Sequence, residues 1–370
     1  MDYKRMPIEV ESPEEMGYDT IKYNLTESSV TDAVLTNIDL NLNQLVLCYS
    51  HHKGKPELRE LIANESAELL AENVLITAGA ASALFIISTS LLCKDDHLIV
   101  VRPNYATNIE TPRAIGCEID FVELQFETGF TFTLEDIASK IKPNTKLISI
   151  TNPHNPTGVL IPEELLFQLA ALAKERNCFL LVDETYRDLS FNNKPALAAS
   201  LNDCVISVAS VSKAYGLPGL RIGWLITRNQ SLMNTFLAAK EQIFICNSVI
   251  DEEIAFQYLL QKDAYFSVIK KHIQTNYAIL SRWIQNEPRM EMVEPGGGVV
   301  CFPRIKVDVD LVKFYEILNT KYKTFVGPGH WFEMPKNYLR IGYGWPKSEE
   351  LSEGLSNISK SLDEVYKPHD

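Results

Sequence analysis

A chain of 370 residues with 46% hydrophobic and 22% charged side chains can bury a large core, which excludes a small stapled scaffold and a disordered polypeptide. With 35 basic against 48 acidic residues the net charge is -13, so no broad electrostatic pull toward nucleic acid or an anionic membrane is expected, and a small molecule is the expected partner. Seven cysteines lie scattered through apolar stretches without a C-x-x-C pair, as thiols of a reducing cytoplasm do, and no apolar run approaches the ~18 residues of a membrane span.

Residues 1–40, which open MDYKRMPIEVESPEEMGYD, show no basic start followed by an apolar run and are expected to form an N-terminal arm and part of a small domain. From 41 to 245, continuously apolar runs of strand length recur at 73–77, 97–101, 117–122, 146–151, 178–183 and 203–209. Helical patterns fall between most of them. In 163–176 (EELLFQLAALAKER), Leu165, Leu169 and Leu172 mark one face, and Pro162 with paired glutamates marks the start. The alternation predicts an α/β fold, a large domain whose mainly parallel sheet is flanked by helices. Beyond about residue 245 the rhythm changes to a helical region (249–286), short strands around 299–305 and 338–343, and a closing helix near 347–366. These predict a smaller α+β domain over 246–370.

In open parallel sheets ligands bind outside the carboxyl ends of the strands, so the residues at each strand end are the informative ones. The run 73–77 leads into TAGAAS, where Gly79, Ala80 and Ala81 suit either an anion held by backbone N–H groups or a helix packed tightly on the sheet. The run 97–101 leads to Tyr105, a core aromatic or a ring stacked on a ligand. After 146–151 comes NPHNPTG, whose prolines hold Asn155 rigidly. The run 178–183 ends in VDETY, with Asp183 capping a helix or serving a ligand and Tyr186 three residues on. The last run leads into SVSKAYGLPGLRIG, where Lys213 is flanked by Ser210 and Ser212 and followed by three glycines and Arg221.

This set suits a flat aromatic cofactor carrying an aldehyde, a ring nitrogen, a phenolic oxygen and a phosphate. A lysine forms a Schiff base with the aldehyde, a carboxylate keeps the ring nitrogen protonated, and amide, phenol, serine and arginine groups hold the rest. The chain resembles the fold-type I, pyridoxal-phosphate-dependent aminotransferases of class I/II, whose lysine signature Ser-x-Ser-Lys-x-x-Gly-x-x-Gly-x-Arg-x-Gly is complete here. The resemblance implies pyridoxal 5'-phosphate on Lys213, which also shuttles the proton; Asp183 at the ring nitrogen; Asn155 and Tyr186 at the phenolic oxygen; and Tyr105 stacked on the ring. It places Ser210, Ser212, Arg221 and the backbone near Gly79, Ala80 and Ala81 at the phosphate. It further implies that Arg340 in YLRIGYG binds the substrate α-carboxylate beside Asn155, and that Tyr49 in YSHHKGKPELRE reaches the phosphate of a neighbouring subunit in a homodimer with shared active sites.

The implied reaction moves an amino group between an amino acid and a 2-oxo acid. The alternative on the same cofactor is a lyase, decarboxylase or cyclase acting on an amino acid. Two features depart from the family pattern: NLTESSV (24–30) stands where relatives carry a Gly-x-Pro turn, and Ala80 and Ala81 stand where some place hydroxyl residues. Glu27, Tyr18 and the segment Pro328 to Phe332 are candidates for substrate contact. His51, His52 and His154 show no metal-ligand spacing, so no metal is expected.

Overall fold

The computed structural model describes residues 1–366. Two short helices, Pro7–Val10 and Pro13–Met16, each begin with proline at a first-turn position, where its missing N–H costs nothing. Strand β1 (Tyr23–Leu25) follows. The central sheet consists of β2 (Val74–Thr77), β3 (His97–Arg102), β4 (Glu118–Glu123), β5 (Thr145–Thr151), β6 (Phe179–Asp183), β7 (Val205–Ser210) and β8 (Gly223–Thr227), in the order β2-β8-β7-β6-β5-β3-β4. All its pairings are parallel except the two made by β8.

Strand β8 is absent from the sequence expectation, which absorbs Gly223 into the lysine signature. Its direction follows from its connection. Parallel neighbours need a crossover, usually a helix, whereas the link 211–222 holds only the short 3-10 turn Pro218–Leu220, so β8 returns antiparallel beside β7.

The sheet is apolar on both faces because both are covered. On one side Leu75, Leu98, Leu147, Leu181 and Ile206 meet Ala83, Leu84 and Ile87 of helix Gly79–Leu91 and Phe236 of helix Gln230–Phe244. On the other, Ile148, Ile150, Leu180 and Val182 meet helix Glu163–Glu175. That helix buries Leu166, Leu169, Ala170, Leu172 and Ala173, so its stripe is rotated slightly from the expected one and leaves Leu165 only partly covered.

The helical region beyond residue 245 is two helices, Val249–Leu260 and Lys262–Asn286. Strands β9 (Met290–Glu291), β10 (Val300–Cys301), β11 (Arg304–Ile305), β12 (Thr324–Pro328) and β13 (Leu339–Gly342) come next, and helix Ser348–Val365 closes the described chain. The expected strand at 299–305 is two strands in different sheets. β11 pairs with β9, while β10 joins a four-stranded sheet in the order β1-β12-β13-β10. In that sheet β1 runs parallel to β12, and Leu25 packs with Ile341, Leu351, Leu355 and Ile358. The N-terminal segment is thereby fixed in the same sheet as β13, the strand that carries Arg340. Among the described residues, no helix is long and apolar enough to cross a membrane, and no cluster of His, Cys, Asp and Glu is arranged for a metal ion.

Candidate active site

The carboxyl ends of β5, β6 and β7 open on one cavity of about 370 Å³, a volume suited to a small ligand. Of the sequence-predicted residues, Ala80, Ala81, Tyr105, Asn155, Asp183, Tyr186, Ser210, Ser212, Lys213, Arg221 and Arg340 all line it. Gly79 lies just behind the wall, and Tyr49 is elsewhere on the surface, 80% exposed.

At one end, helix Gly79–Leu91 starts without a side-chain cap, because its N-cap residue is Ala78. Its first N–H groups are left to solvent or to an anion. The Arg221 guanidinium reaches the same place. Nη1 donates to Pro218 O at 2.9 Å and lies 3.5 Å from Ser212 Oγ, and a Cβ on Gly79 would come within 2.6 Å of Nη2. Gly79 has φ +80° and Gly223 is pressed against the Gly79 backbone, so glycine is required at both positions to form this corner. Hydroxyls, a guanidinium and free N–H groups with no acidic side chain among them form a cradle for a phosphate.

In the middle, Asp183 ends β6 and is 5% exposed. Its Oδ1 accepts from Thr185 N at 3.1 Å and Thr185 Oγ1 at 2.6 Å. Burial pushes its carboxyl up, against the lowering effect of Thr185 and Asn108, and a cationic ring N–H facing it would favour the carboxylate. Lys213 follows β7 in a loop tied to the N-terminal segment, its carbonyl accepting from Val30 N at 3.0 Å. Burial pushes its ammonium down, Glu27 opposes this, and Arg340 adds to it. The net shift is downward, toward the neutral amine a carbonyl-attacking lysine needs.

At the far end, Arg340 is 4% exposed on β13. Nη2 donates to Thr26 O at 2.8 Å and Nη1 to Asn155 Oδ1 at 3.3 Å, while the buried Nε has no partner. Phe332 lies under the guanidinium at 5.0 Å and Trp331 at 6.0 Å. Among the described residues no carboxylate pairs with it, which for a buried arginine leaves room for an anionic ligand.

Tyr186 makes a bond that the sequence did not suggest. Its hydroxyl, pushed up to about 12 by burial, donates to Ser28 O at 2.7 Å instead of pointing a free proton into the cavity, so a phenolate there would have to draw that proton away. The reason is NLTESSV. Asn24 Oδ1 accepts from Thr26 N at 3.0 Å and Thr26 Oγ1 at 2.6 Å, and the resulting turn aims the carbonyls of Thr26 and Ser28 inward. Tyr49 is exposed and not packed in the core.

His154 is neutral and structural. Its Nε2 donates to Pro103 O at 2.9 Å, its Nδ1 lies 2.8 Å from Thr157 Oγ1, and burial pushes it down to about 4. Sequence reasoning missed Thr185 and the Asn104–Asn108 pair behind the cavity, where Thr151 Oγ1 donates to Asn104 Oδ1 at 2.9 Å. It also missed Glu9, Ser12 and Glu14, which line the mouth from the two N-terminal helices. No periodic signal in the first twenty residues points to a role at the cavity.

A sequence model described as aminotransferase class I and II matches residues 19–358. The chain is 29% identical over 339 residues to a probable aspartate/prephenate aminotransferase of Aquifex aeolicus, covering 86% of this chain and 84% of that one. It is 28% identical over 323 residues to a capreomycidine synthase of Streptomyces vinaceus, covering 87% and 82%. The crystal structure of a PLP-dependent aminotransferase from Streptococcus suis aligns with a TM-score of 0.92 at 28% identity, covering 100% of both chains.

Proposed function

The chain belongs to the class I and II aminotransferase family and is a pyridoxal-phosphate-dependent aminotransferase of α/β fold type I; from this premise we propose the residues that carry its reaction. The observation that supports the assignment most is one cavity holding three separate features. These are a lysine whose ammonium is disfavoured, a buried aspartate without a cationic partner, and a buried arginine with an unpartnered Nε.

Pyridoxal phosphate supplies, when bound, an electron sink for the pair released as the bond from the substrate Cα to hydrogen breaks. Lys213 would carry the cofactor through Nζ and would be the group that takes the proton from the substrate Cα. Asp183 holds a proton on the ring nitrogen, and Thr185 keeps its carboxylate oriented. Ser210, Ser212, Arg221 and the N–H groups near Ala80 and Ala81 anchor the phosphate, and Tyr105 covers one ring face. Arg340 would grip the α-carboxylate beside Asn155 and so orient the substrate Cα.

A homodimer with shared sites accompanies this reading. Val46, Leu47 and Tyr49 are 71%, 72% and 80% exposed, and Ile243 and Ile245 are exposed nearby. His52 Nδ1, 2.6 Å from Glu241 Oε1, ties the Tyr49 segment to the end of helix Gln230–Phe244 and brings the two sets of exposed apolar residues into one neighbourhood.

The test is borohydride reduction of the holoenzyme followed by peptide mapping. The pyridoxyl label is expected on Lys213, and a label on another lysine refutes the assignment. A second arm follows the nitrogen with and without a 2-oxo acid. Transamination requires the acceptor, whereas a lyase, decarboxylase or cyclase consumes its amino acid without one.

A further inference from the structure

Beyond the α-carboxylate grip the cavity is acidic. Glu9, Glu14 and Glu27 line it together with Ser12, Ser28 and Trp331, and its cations are Lys213, Arg221 and Arg340. In the reaction proposed above each cation is already engaged, Lys213 with the cofactor aldehyde, Arg221 with the phosphate and Arg340 with the α-carboxylate. Asp183 is matched by the ring nitrogen. None of the three glutamates forms an ion pair among the described residues. Resting on that reading, we infer that the substrate is an α-amino acid whose side chain ends in a cation, an amine or a guanidine, received by Glu27 with Glu14 and Glu9 behind it.

Glu27 is the anchor because of what surrounds it. Its neighbour Thr26 accepts from Arg340, so a side chain leaving a Cα whose carboxylate sits on Arg340 starts beside Glu27. Tyr18 Oη at 3.4 Å and Asn24 Nδ2 at 3.3 Å both donate to Glu27 Oε1 and hold the carboxyl in place, while Oε2 accepts nothing from the protein. The opposite end of the same ligand is marked independently by Arg340, nine-tenths buried with Nε unpartnered. Within one chain, a side-chain carboxylate would find no counter-charge among the remaining lining residues and would meet three carboxylates instead. A guanidinium or ammonium would gain a charge-assisted bond in a partly desolvated place. Burial also pushes the Glu27 carboxyl up, against the pull of Lys213 and Arg340, and a substrate cation beside it would pull it down further.

Arginine and citrulline make the discriminating pair, since they share length and shape and differ in charge. With the holoenzyme, single-turnover conversion of the cofactor absorbance is expected to favour L-arginine, L-lysine or L-ornithine over L-citrulline and L-norleucine by about tenfold or more. Glu27→Gln, which keeps the shape, should collapse the arginine-to-citrulline ratio toward one. A second readout does not depend on turnover. Calorimetry with 5-guanidinopentanoate, which has carboxylate and guanidinium but no α-amine to react, should show tighter binding than hexanoate, and Glu27→Gln should erase the difference. Preference for acidic or aromatic amino acids, or a Glu27→Gln variant that lowers arginine and citrulline alike, overturns the inference and leaves the aminotransferase reading standing. Glu27-dependent binding of 5-guanidinopentanoate by a protein that transaminates no amino acid supports the acidic subsite and overturns the assigned reaction residues.

Discussion

Gly223, the first residue of β8, lies against Gly79 so closely that a Cβ built on it would stand 2.5 Å from the Gly79 carbonyl carbon and 2.7 Å from the Ala80 nitrogen. Both are backbone atoms of the corner that faces Arg221, and β8 is pinned to β2 by the pairing of Gly223 with Thr77. Neither side can yield cheaply. Gly223→Ala should therefore lower cofactor affinity about tenfold or more and destabilise the fold by roughly 1–3 kcal/mol, the usual range for overpacking. Titration of apoprotein with pyridoxal phosphate, alongside a melting curve, checks both; unchanged affinity would show that the corner does not hold the phosphate.

Asp183 is expected to govern turnover, since without a carboxylate the ring nitrogen is free to lose its proton. Asp183→Ala should reduce kcat by about 10²-fold or more. Asn is the milder replacement because it still accepts a hydrogen bond. Near-normal turnover in the alanine variant would mean that Asp183 serves only the Thr185 turn.

Arg340→Lys keeps the charge and loses the planar fork that reaches Thr26 and Asn155. KM for the amino acid should rise about tenfold or more, while the cofactor content of the purified protein stays at the wild-type level. Amines lacking a carboxylate should react poorly with the wild type. Equal use of amines and amino acids would remove Arg340 from substrate binding.

Away from the cavity, two glutamates near Arg187 respond to pH in opposite senses. Burial pushes Glu65 up, but Lys194 and Lys262 outweigh it and hold the carboxyl down at about 2. Its stabilisation is complete above the ordinary value near 4.5 and is lost as pH falls toward 2. Glu184, pushed up to about 7 by burial against the pull of Arg187, has a buried Oε2 without a partner. The folded chain takes up its proton before the unfolded one does, so this contribution declines as pH rises from about 4.5 to 7. Melting temperatures across about pH 3–9 should show the gap between wild type and Glu65→Gln narrowing in acid, with Glu184→Gln gaining on the wild type toward neutral pH. Parallel curves for all three proteins would contradict both assignments.

Tyr49 supplies the test for shared sites. Tyr49→Phe chains mixed with Lys213→Ala chains under subunit exchange should regain activity above the sum of the parents, because one site of each heterodimer inherits neither defect. This requires a damaging Tyr49 change, which the separate parent measurement establishes. A fully active monomer by light scattering would eliminate the idea.

The strands were legible where burial on both faces made them continuously apolar, and Asp183 stood out as a charge at the end of such a run. β8 was not, because its direction is dictated by a short connection and not by its own residues. The break at Gln261 between two helices carries neither Gly nor Pro, so it belongs to tertiary packing. The lysine signature located most of the cavity. It could not show that Tyr186 is already bonded to Ser28, or that Glu9 and Glu14 reach the mouth, since both depend on how β1 docks on β12.

That docking also imposes an order in time. Thr26 and Arg340 meet across 314 positions, and Arg340 is the last pocket-lining residue that translation delivers. A nascent chain exposes its N-terminal strand long before β12 and β13 exist to receive it. Whatever the ribosome has released by then can contain Lys213, Asp183 and the Gly79 corner, but the fork for a carboxylate arises only with the final strands.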